Sequence, residues 1–172
     1  MKKLIVLGVF LSFSSFLSAQ SAFQPGDIFA GAGPEINAHT RDGIAFGGIL
    51  MAGIELGTKM AAGVRAGYYY DFKTVSSFEA QGFFRYYLPW LEGLYAQAEI
   101  GVILYTEYDE LFPAVSGGLS AGWRFTLADV FFIEPSVRGG YPYIWGVTIT
   151  AGYIFKINWG QGRNSNWQQG GE

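Results

Sequence analysis

Residues 146–155, GVTITAGYIF, alternate between apolar positions and small or polar positions. Val147 and Ile149 fall on one face of an extended chain, and Thr148 and Thr150 fall on the other. A period of two residues predicts a β-strand whose two faces lie in different surroundings. In a soluble barrel the apolar face would point inward, whereas in a membrane barrel it would point toward lipid.

The same alternation recurs along the chain and predicts eight strands separated by short turns. Seven segments have one face free of charge, and in six the opposite face carries charged residues. Tight turns between such segments predict antiparallel neighbours. Glycine and alanine fill the first segment, so its phase stays open. The predicted strands cover residues 27–36, 44–56, 60–72, 77–88, 94–106, 115–125 and 130–141, and the eighth begins at residue 144.

The charged face combines arginines with glutamates and has few lysines. Arginine forms planar bidentate pairs with carboxylates and suits a confined site, whereas lysine is typical of exposed strands. The turn after the fourth strand brings Arg85 opposite Gln97 or Glu99, and the turn after the sixth sets Arg124 one diagonal step from Glu134. We therefore expect a charge-paired barrel interior. Its predicted members are Glu55, Arg65, Glu79, Arg85, Glu99, Arg124, Glu134 and Arg138.

The uncharged face has aromatic residues toward both ends of the predicted hairpins and aliphatic residues between them. Aromatic side chains are enriched at the two water–lipid interfaces of a membrane, whereas a soluble core would tend to place its largest rings centrally. We therefore expect this face to contact outer-membrane lipid. The predicted interface aromatics are Tyr68, Tyr70, Phe84, Tyr86, Trp123, Phe125, Tyr141, Trp145, Tyr153 and Phe155.

Lipid contact has a consequence for the backbone. Every N–H and C=O in hydrocarbon needs a partner, so a sheet can span the membrane only if it closes. An even number of antiparallel strands allows closure, and eight strands leave just enough interior for side chains. The predicted fold is all-β: a closed eight-stranded antiparallel up-and-down transmembrane β-barrel over residues 27–155.

The amino-terminal segment predicts export. Residues 1–19 combine two lysines, an apolar stretch and a small residue before Gln20, as in a secretory signal peptide, with a membrane anchor as the alternative. The remaining chain has 9 basic and 14 acidic residues, which disfavours nucleic-acid binding. There is no cysteine, so disulfides cannot stabilise it. Residues 20–26 are predicted to be a periplasmic amino-terminal segment.

The alternating strands, the paired interior and the last strand resemble the small eight-stranded bacterial outer-membrane barrels of the OmpA-transmembrane, OmpX and OmpW kind. The resemblance implies an outer-membrane location in a diderm bacterium, both termini in the periplasm, and a monomer. Such proteins commonly end on an aromatic residue read by the barrel assembly machinery, and the segment ending at Phe155 is similar to that signal. Here 17 residues follow, and we expect residues 156–172 to be a periplasmic tail, disordered after Gly160.

With the termini in the periplasm, external loops are expected near residues 37–43, 73–76, 107–114 and 142–143. These loops are short, although an extracellular partner could bind them. His39, with Asp42 nearby and Ser76 and Ser77 on the next loop, is interpreted as a solvated loop residue and not as catalytic. The acidic run at 108–113, YDELFP, is a solvated loop or a cation or partner site. No metal or other cofactor is expected, because clustered histidines and cysteines are missing.

Three functions stay open. The plugged interior favours a structural or surface-interaction barrel without enzymatic activity. The OmpW resemblance implies, as an alternative, a narrow channel or carrier for small apolar molecules, lined by Ile49, Met51, Phe83 and Ile103. A third reading is a secreted, lipocalin-like ligand-binding barrel, which would be extracted without detergent.

Overall fold

The computed structural model describes residues 24–39, 43–71, 75–107 and 110–157. Their strands form one antiparallel sheet, in which β7 continues the position of β6 after an interruption at Arg124. Among these residues no helix is long and apolar enough to cross a membrane. The strands are β1 (Ile28–His39), β2 (Gly43–Glu55), β3 (Met60–Tyr70), β4 (Ser76–Tyr87), β5 (Leu94–Glu107), β6 (Glu110–Trp123), β7 (Phe125–Leu127), β8 (Phe131–Tyr141) and β9 (Tyr143–Phe155).

The sheet closes on itself, because β1 pairs with β9 and β6 pairs with β8. Since β6 and β7 share one position beside β8, the barrel has eight strand positions. The predicted closed eight-stranded antiparallel fold is therefore confirmed. We call the end with the connections at 56–59, 88–93 and 128–130 the turn end. The opposite end, with the connections at 40–42, 71–75, 108–109 and 142, is the loop end.

The strand register gives the stagger of the closed sheet. Starting at Ile36 and stepping from partner to partner through β2, β3, β4 and β5 leads to Leu111 in β6. Stepping the other way through β9 and β8 leads to Ala121 in the same strand. The two routes end ten residues apart. Strands in a barrel staggered in this way are tilted by roughly 35–45° from its axis.

The alternation in the sequence becomes two environments in the structure. On β9, Ile149 is 56% exposed on the outside, while Thr148 is 4% exposed on the inside. The same division holds on the other strands, apart from the start of β6, where residues 110–113 are all exposed. Among the strand residues whose burial is described, Glu110 is the one charged residue on an exposed position. The apolar residues thus cover the outside of the barrel.

Strand boundaries differ from the predicted ones at the loop end. β1 continues to His39, so Asn37, predicted to begin an external loop, is a fully buried strand residue. β6 begins at Glu110 instead of Val115, because its pairing with β5 continues without a break. The acidic residues of this segment suggested a loop, and residues 110–113 are indeed all exposed, although they belong to the strand.

Several predicted features lie outside the described residues. These are the signal peptide at 1–19, most of the segment 20–26, the end of the third predicted strand at Phe72, and the tail beyond Ile157.

Candidate functional site

The buried arginines and glutamates inside the barrel, together with two tyrosines, form two clusters. The upper cluster, toward the loop end, consists of Glu35, Arg65, Tyr69, Glu79, Glu99 and Arg138. The lower cluster, toward the turn end, consists of Glu55, Arg85, Tyr87, Arg124 and Glu134. All eleven side chains are buried, including the eight named from the sequence as interior charges.

Arg138 connects three carboxylates of the upper cluster. Its guanidinium contacts Glu79 through two nitrogens, at 2.7 and 3.2 Å. The same group reaches Glu35 Oε1 at 3.2 Å and Glu99 Oε2 at 3.7 Å. A bidentate contact of this kind combines strength with a fixed orientation. Arg138 on β8 thereby ties together side chains from β1, β4 and β5 across the barrel.

Arg65 binds the other side of the same carboxylates. It pairs with Glu35 and lies 3.5 Å from Glu99 Oε2. Tyr69 donates its hydroxyl to Glu35 at 3.1 Å, and Thr148 donates to the same carboxylate at 2.7 Å. Because the upper cluster holds three carboxylates and two guanidinium groups, these neutral donors supply hydrogen bonds that the arginines do not.

The lower cluster has equal numbers of guanidinium groups and carboxylates. Arg124 donates to Glu134 at 2.6 Å and to Glu55 at 2.8 Å. Arg85 lies 2.9 Å from the second oxygen of Glu134, and Tyr87 donates to Glu55 at 3.0 Å. The short turn between β7 and β8 positions Arg124 near Glu134.

Aromatic rings surround the lower arginines. The guanidinium carbon of Arg124 lies 4.2 Å from the ring centre of Phe29 and 4.6 Å from that of Phe132. Arg85 lies 3.8 Å above the ring of Tyr95. The ring faces are electron-rich and attract a cation, which compensates part of the hydration lost on burial. The lower cluster is therefore held by carboxylates and by aromatic faces.

Gln97 joins the two clusters. Its amide oxygen accepts from Arg85 at 2.8 Å, and its amide nitrogen donates to Glu99 at 2.7 Å. Arg85 and Gln97 are direct partners in the β4–β5 register. Beside this link lies a gap of about 20 Å³, bordered by Arg65 and Phe83 among others. A gap of that size has room for a single water molecule.

The apolar residues inside the barrel also form two groups. Met51 and Phe83 pack in a group toward the turn end, and Ile49 and Ile103 pack in another toward the loop end. All four are buried. They fill space around the ionic clusters and do not form one continuous apolar lining.

The ten aromatic residues predicted for the lipid interfaces all point outward, and Phe125 is the least exposed position among them. In β4, the exposed rings of Phe78 and Tyr86 are eight residues apart in sequence. At roughly 3.3 Å per residue and a tilt of about 40°, these rings are separated by about 20 Å along the barrel axis. Exposed aliphatic side chains, including Leu50, Ile100 and Leu119, lie between the two bands.

Sequence reasoning missed Glu35, which contacts both arginines of the upper cluster. The available signal was the outward row Ile28, Ala30, Ala32 and Ile36, which is uncharged like the outer face of every other strand. Applying that rule to β1 would have placed Glu35 inside. Tyr69 and Phe132 share the inner-face phase of Arg65 and Glu134 on their strands, whereas the inward ring of Phe29 carried no signal because β1 has no clear phase.

The residues weighed for catalysis and cation binding lie at the loop end. The ring of Tyr143 contacts His39, and its hydroxyl is 2.8 Å from Ser77 Oγ, so Tyr143 lies between the two. Asp42 is outside the described residues, as are Tyr108 and Asp109 of the acidic run, whose remainder belongs to β6. The described residues contain no group of three or more acidic, histidine or cysteine side chains suited to a metal ion.

Comparisons with known proteins agree with this architecture. No protein-family model and no curated protein matches the chain. Among solved structures, the outer membrane protein OprG from Pseudomonas aeruginosa matches with a TM-score of 0.59 and 12% identity, covering 79% of this chain and 99% of that one. Neisserial surface protein A matches with a TM-score of 0.55 and 12% identity, covering 76% and 96%.

A third solved structure is that of Ail from Yersinia pestis, with a TM-score of 0.51 and 12% identity, covering 77% of this chain and 100% of that one. Identities this low show a shared fold. The chain has the fold of the small eight-stranded outer-membrane β-barrels, as the resemblance of its sequence predicted.

Proposed function

We propose that the protein is an integral outer-membrane barrel with a plugged interior, and that it serves a structural or surface-interaction role. The observation that carries this proposal is the interior itself. Buried arginines, glutamates and aromatic rings fill it, and the described gap between the clusters has a volume of about 20 Å³. A path for hydrated ions would need these paired side chains to separate.

The outer surface supports the membrane part of the proposal. Exposed aliphatic residues between two aromatic bands match the hydrocarbon layer and its two interfaces. A soluble, lipocalin-like barrel would hide its apolar face, but here that face is outside. By this reasoning the ten outward aromatics are interface anchors. The resemblance to the small outer-membrane barrels supports placing the termini on the periplasmic side.

A role at the cell surface is supported by one solved structure with the same fold. Ail, named as an attachment invasion locus protein, was solved in complex with a heparin analogue, sucrose octasulfate. The carrier alternative has less support, because Ile49 and Met51 belong to separate apolar groups. A continuous apolar passage would need these groups to join.

Single-channel recording of the purified protein in a planar lipid bilayer tests the proposal. We expect no large, steady conductance, because the ion-paired clusters close the interior. Insertion is verified on the same preparation by gel migration, since a folded barrel migrates differently before and after boiling in detergent. A stable open conductance from heat-modifiable protein would contradict the plugged interior. Extraction from cells without detergent would contradict the membrane location.

A further inference from the structure

The ladder between β1 and β9, which we call the seam, differs from the other ladders of the barrel. Every other pair of neighbouring strand positions is linked by a connection of six residues or fewer. The seam joins the first strand to the last, and its turn-end pair is Ile28 with Phe155. A tight connection fixes the ends of two strands beside each other. The two strands of the seam have no such connection, so another contact must hold their ends together.

The seam is also divided in the middle. Its turn-end section pairs residues 28–32 with residues 151–155, and its loop-end section begins where Glu35 pairs with Thr148. Gly33 and Pro34 lie between the two sections, and neither pairs with a described residue of β9. Proline has no N–H to donate, which accounts for a break at this place. The turn-end section can therefore open while the loop-end section stays paired.

Side-chain contacts cross the seam in both sections. In the loop-end section, Thr148 donates its hydroxyl to Glu35 at 2.7 Å. At the turn end, the ammonium nitrogen of Lys156 lies 3.0 Å from Oδ2 of Asp27. Asp27 precedes β1 and Lys156 follows β9, so the two residues continue the seam register by one step. We call Asp27 and Lys156 the clasp.

The clasp is largely withdrawn from water. Asp27 is 1% exposed, and the side chain of Lys156 is 32% exposed. Each residue lies two positions from a buried inward side chain, that of Phe29 or Ile154. A buried carboxylate is destabilising when it has no partner, whereas an exposed ion pair contributes little. Breaking the clasp therefore has a larger cost than breaking an ordinary surface pair.

Asp27 is also bound to the strand on the other side of β1. Its carbonyl oxygen accepts a hydrogen bond from the N–H of Glu55 at 2.9 Å. The N–H of Gly26 in turn donates to the carbonyl oxygen of Glu55 at 2.7 Å. The backbone of Asp27 is thus fixed to the end of β2, while its side chain contacts Lys156 after β9. The clasp connects three adjacent strands at the turn end.

The sequence separation of the clasp limits when it can form. Asp27 and Lys156 are 129 residues apart, and all the strands lie between them. A contact of such separation forms after the intervening strands are ordered, because the loss of chain entropy comes first. An interaction that forms after the folding transition state slows unfolding and leaves the folding rate unchanged.

We propose that the clasp controls how long the closed barrel persists. Asp27 and Lys156 come together last, when the seam closes, and the turn-end section opens only after they separate. The clasp takes the place of the turn that the seam does not have. It is a conformational device at the junction of the two chain ends, and it acts on unfolding and not on folding.

Rates of unfolding and refolding in lipid vesicles test the proposal. Lys156→Met keeps most of the side chain and removes its charge, and gel migration of unboiled samples over time follows both reactions. We expect unfolding in urea to become roughly tenfold faster, the effect of losing one hydrogen bond to a charged group, and refolding to stay within about twofold. Lys156→Arg keeps the charge and should unfold nearly as slowly as the native chain. An unchanged unfolding rate, or refolding slowed as much as unfolding is accelerated, would overturn the proposal.

Lys59→Met is the matched control. Lys59 is an exposed lysine at the same end of the barrel, in the connection that joins β2 to β3. The substitution removes the same charge where a turn already holds two strands together, so we expect a change of less than about twofold in the unfolding rate. Equal acceleration by Lys59→Met and Lys156→Met would show that net charge controls the rate and would contradict the clasp.

A second substitution tests whether the two residues act as a pair. Asp27→Asn removes the other charge of the clasp, and we expect it to accelerate unfolding about as much as Lys156→Met does. Because both changes break one contact, the double variant should unfold no faster than either single variant. Multiplied effects in the double variant would mean that the residues act independently, against the proposal.

Hydrogen exchange locates the opening in the folded Lys156→Met variant in lipid nanodiscs. We expect the hydrogen-bonded amides of residues 28–32 and 151–155 to exchange roughly tenfold faster, because they exchange through local opening of the turn-end section. Amides of residues 145–148, beyond the break at Pro34, should exchange at the native rate. Equal acceleration in all strands would contradict an opening confined to the seam.

These measurements are independent of the proposed function, because they report on the seam whether or not the barrel conducts ions. A conducting barrel whose Lys156→Met variant unfolds faster would contradict only the plugged interior. A silent, heat-modifiable barrel whose rates do not respond to the substitution would contradict only the clasp.

Discussion

Arg124 shows how a charge can be kept inside this barrel. Its guanidinium donates to Glu55 and Glu134 and lies against the rings of Phe29 and Phe132. Removing a charge from water costs several kcal/mol, which is recovered only when its hydrogen bonds are well satisfied. The carboxylates accept hydrogen bonds from its Nε and Nη1 atoms, and the ring faces cover the guanidinium where water would otherwise bind.

The surplus carboxylate of the upper cluster leads to a prediction about Arg138. Arg138→Gln leaves Glu35, Glu79 and Glu99 with Arg65 as the remaining guanidinium of the cluster. Breaking a buried pair by removing one partner costs about 3–5 kcal/mol, and we expect a loss of that size in the free energy of unfolding. Urea-induced unfolding in lipid vesicles measures it.

Glu99→Gln is the matched control for this prediction. The carboxylate of Glu99 lies 3.5 and 3.7 Å from the two arginines, farther than the other carboxylates. Its removal leaves two carboxylates for two guanidinium groups, so we expect a smaller loss, of about 1 kcal/mol, as for an ordinary hydrogen bond. A larger loss for Glu99→Gln than for Arg138→Gln would show that charge balance does not govern the cluster.

At this scale the sequence predicted the interior only in part. The eight interior charges could be named because each lies opposite an uncharged face on a strand of clear phase. Glu35 was missed because glycine and alanine leave β1 without strong hydrophobic contrast. The pairing of Arg138 with Glu79 was beyond prediction, since these residues meet across the barrel and no hairpin register relates them.

At the scale of strands, close packing inside the barrel depends on glycine. A Cβ at Gly63 would lie 2.2 Å from the carbonyl oxygen of Ala52 and 2.5 Å from the ring of Phe83. The first of these is backbone of the neighbouring strand, which cannot move away independently. At Gly82, one strand further along, the nearest atoms are 3.9 Å away.

This contrast predicts different outcomes for two alanine substitutions. Gly63→Ala should lower the free energy of unfolding by about 1–3 kcal/mol, the usual cost of overpacking. Gly82→Ala should leave it nearly unchanged, because its methyl group has open space. The temperature at which unboiled protein converts to the boiled gel position provides the measurement. Equal behaviour of the two variants would contradict the strand packing described here.

The strands themselves were largely predictable, because a period of two is readable wherever one face is apolar. The exceptions are the end of β1, which continues to His39, and the start of β6. Acidic residues in YDELFP suggested a loop. Beyond the aromatic band a strand does not contact lipid, so charged residues are tolerated there. Composition therefore no longer distinguishes a strand from a loop in this region. The end of the pairing between β6 and β8 followed only from the register, which fixes where β8 stops beside β6.

At the scale of the whole molecule, the barrel is turned inside out relative to a soluble protein. Its outer surface is apolar between two aromatic bands. The rise per residue and the tilt of the strands place these bands about 20 Å apart. Its interior holds four arginines and five glutamates in two clusters. Closure was predictable from the hydrogen-bond demands of a spanning sheet. The stagger of ten residues was not, because it depends on all the strand registers together.

Paramagnetic relaxation by lipid tests this arrangement most directly. The native protein, labelled on valine, isoleucine and threonine methyl groups, is placed in bicelles whose lipids carry a nitroxide near the end of the acyl chain. We expect the nitroxide to broaden the methyl signals of Val147 and Ile149 strongly and to leave those of Thr148 and Thr150 sharp. Sharp signals from Val147 and Ile149 with broadened threonines, or equal broadening of all four, would contradict an apolar face in contact with lipid.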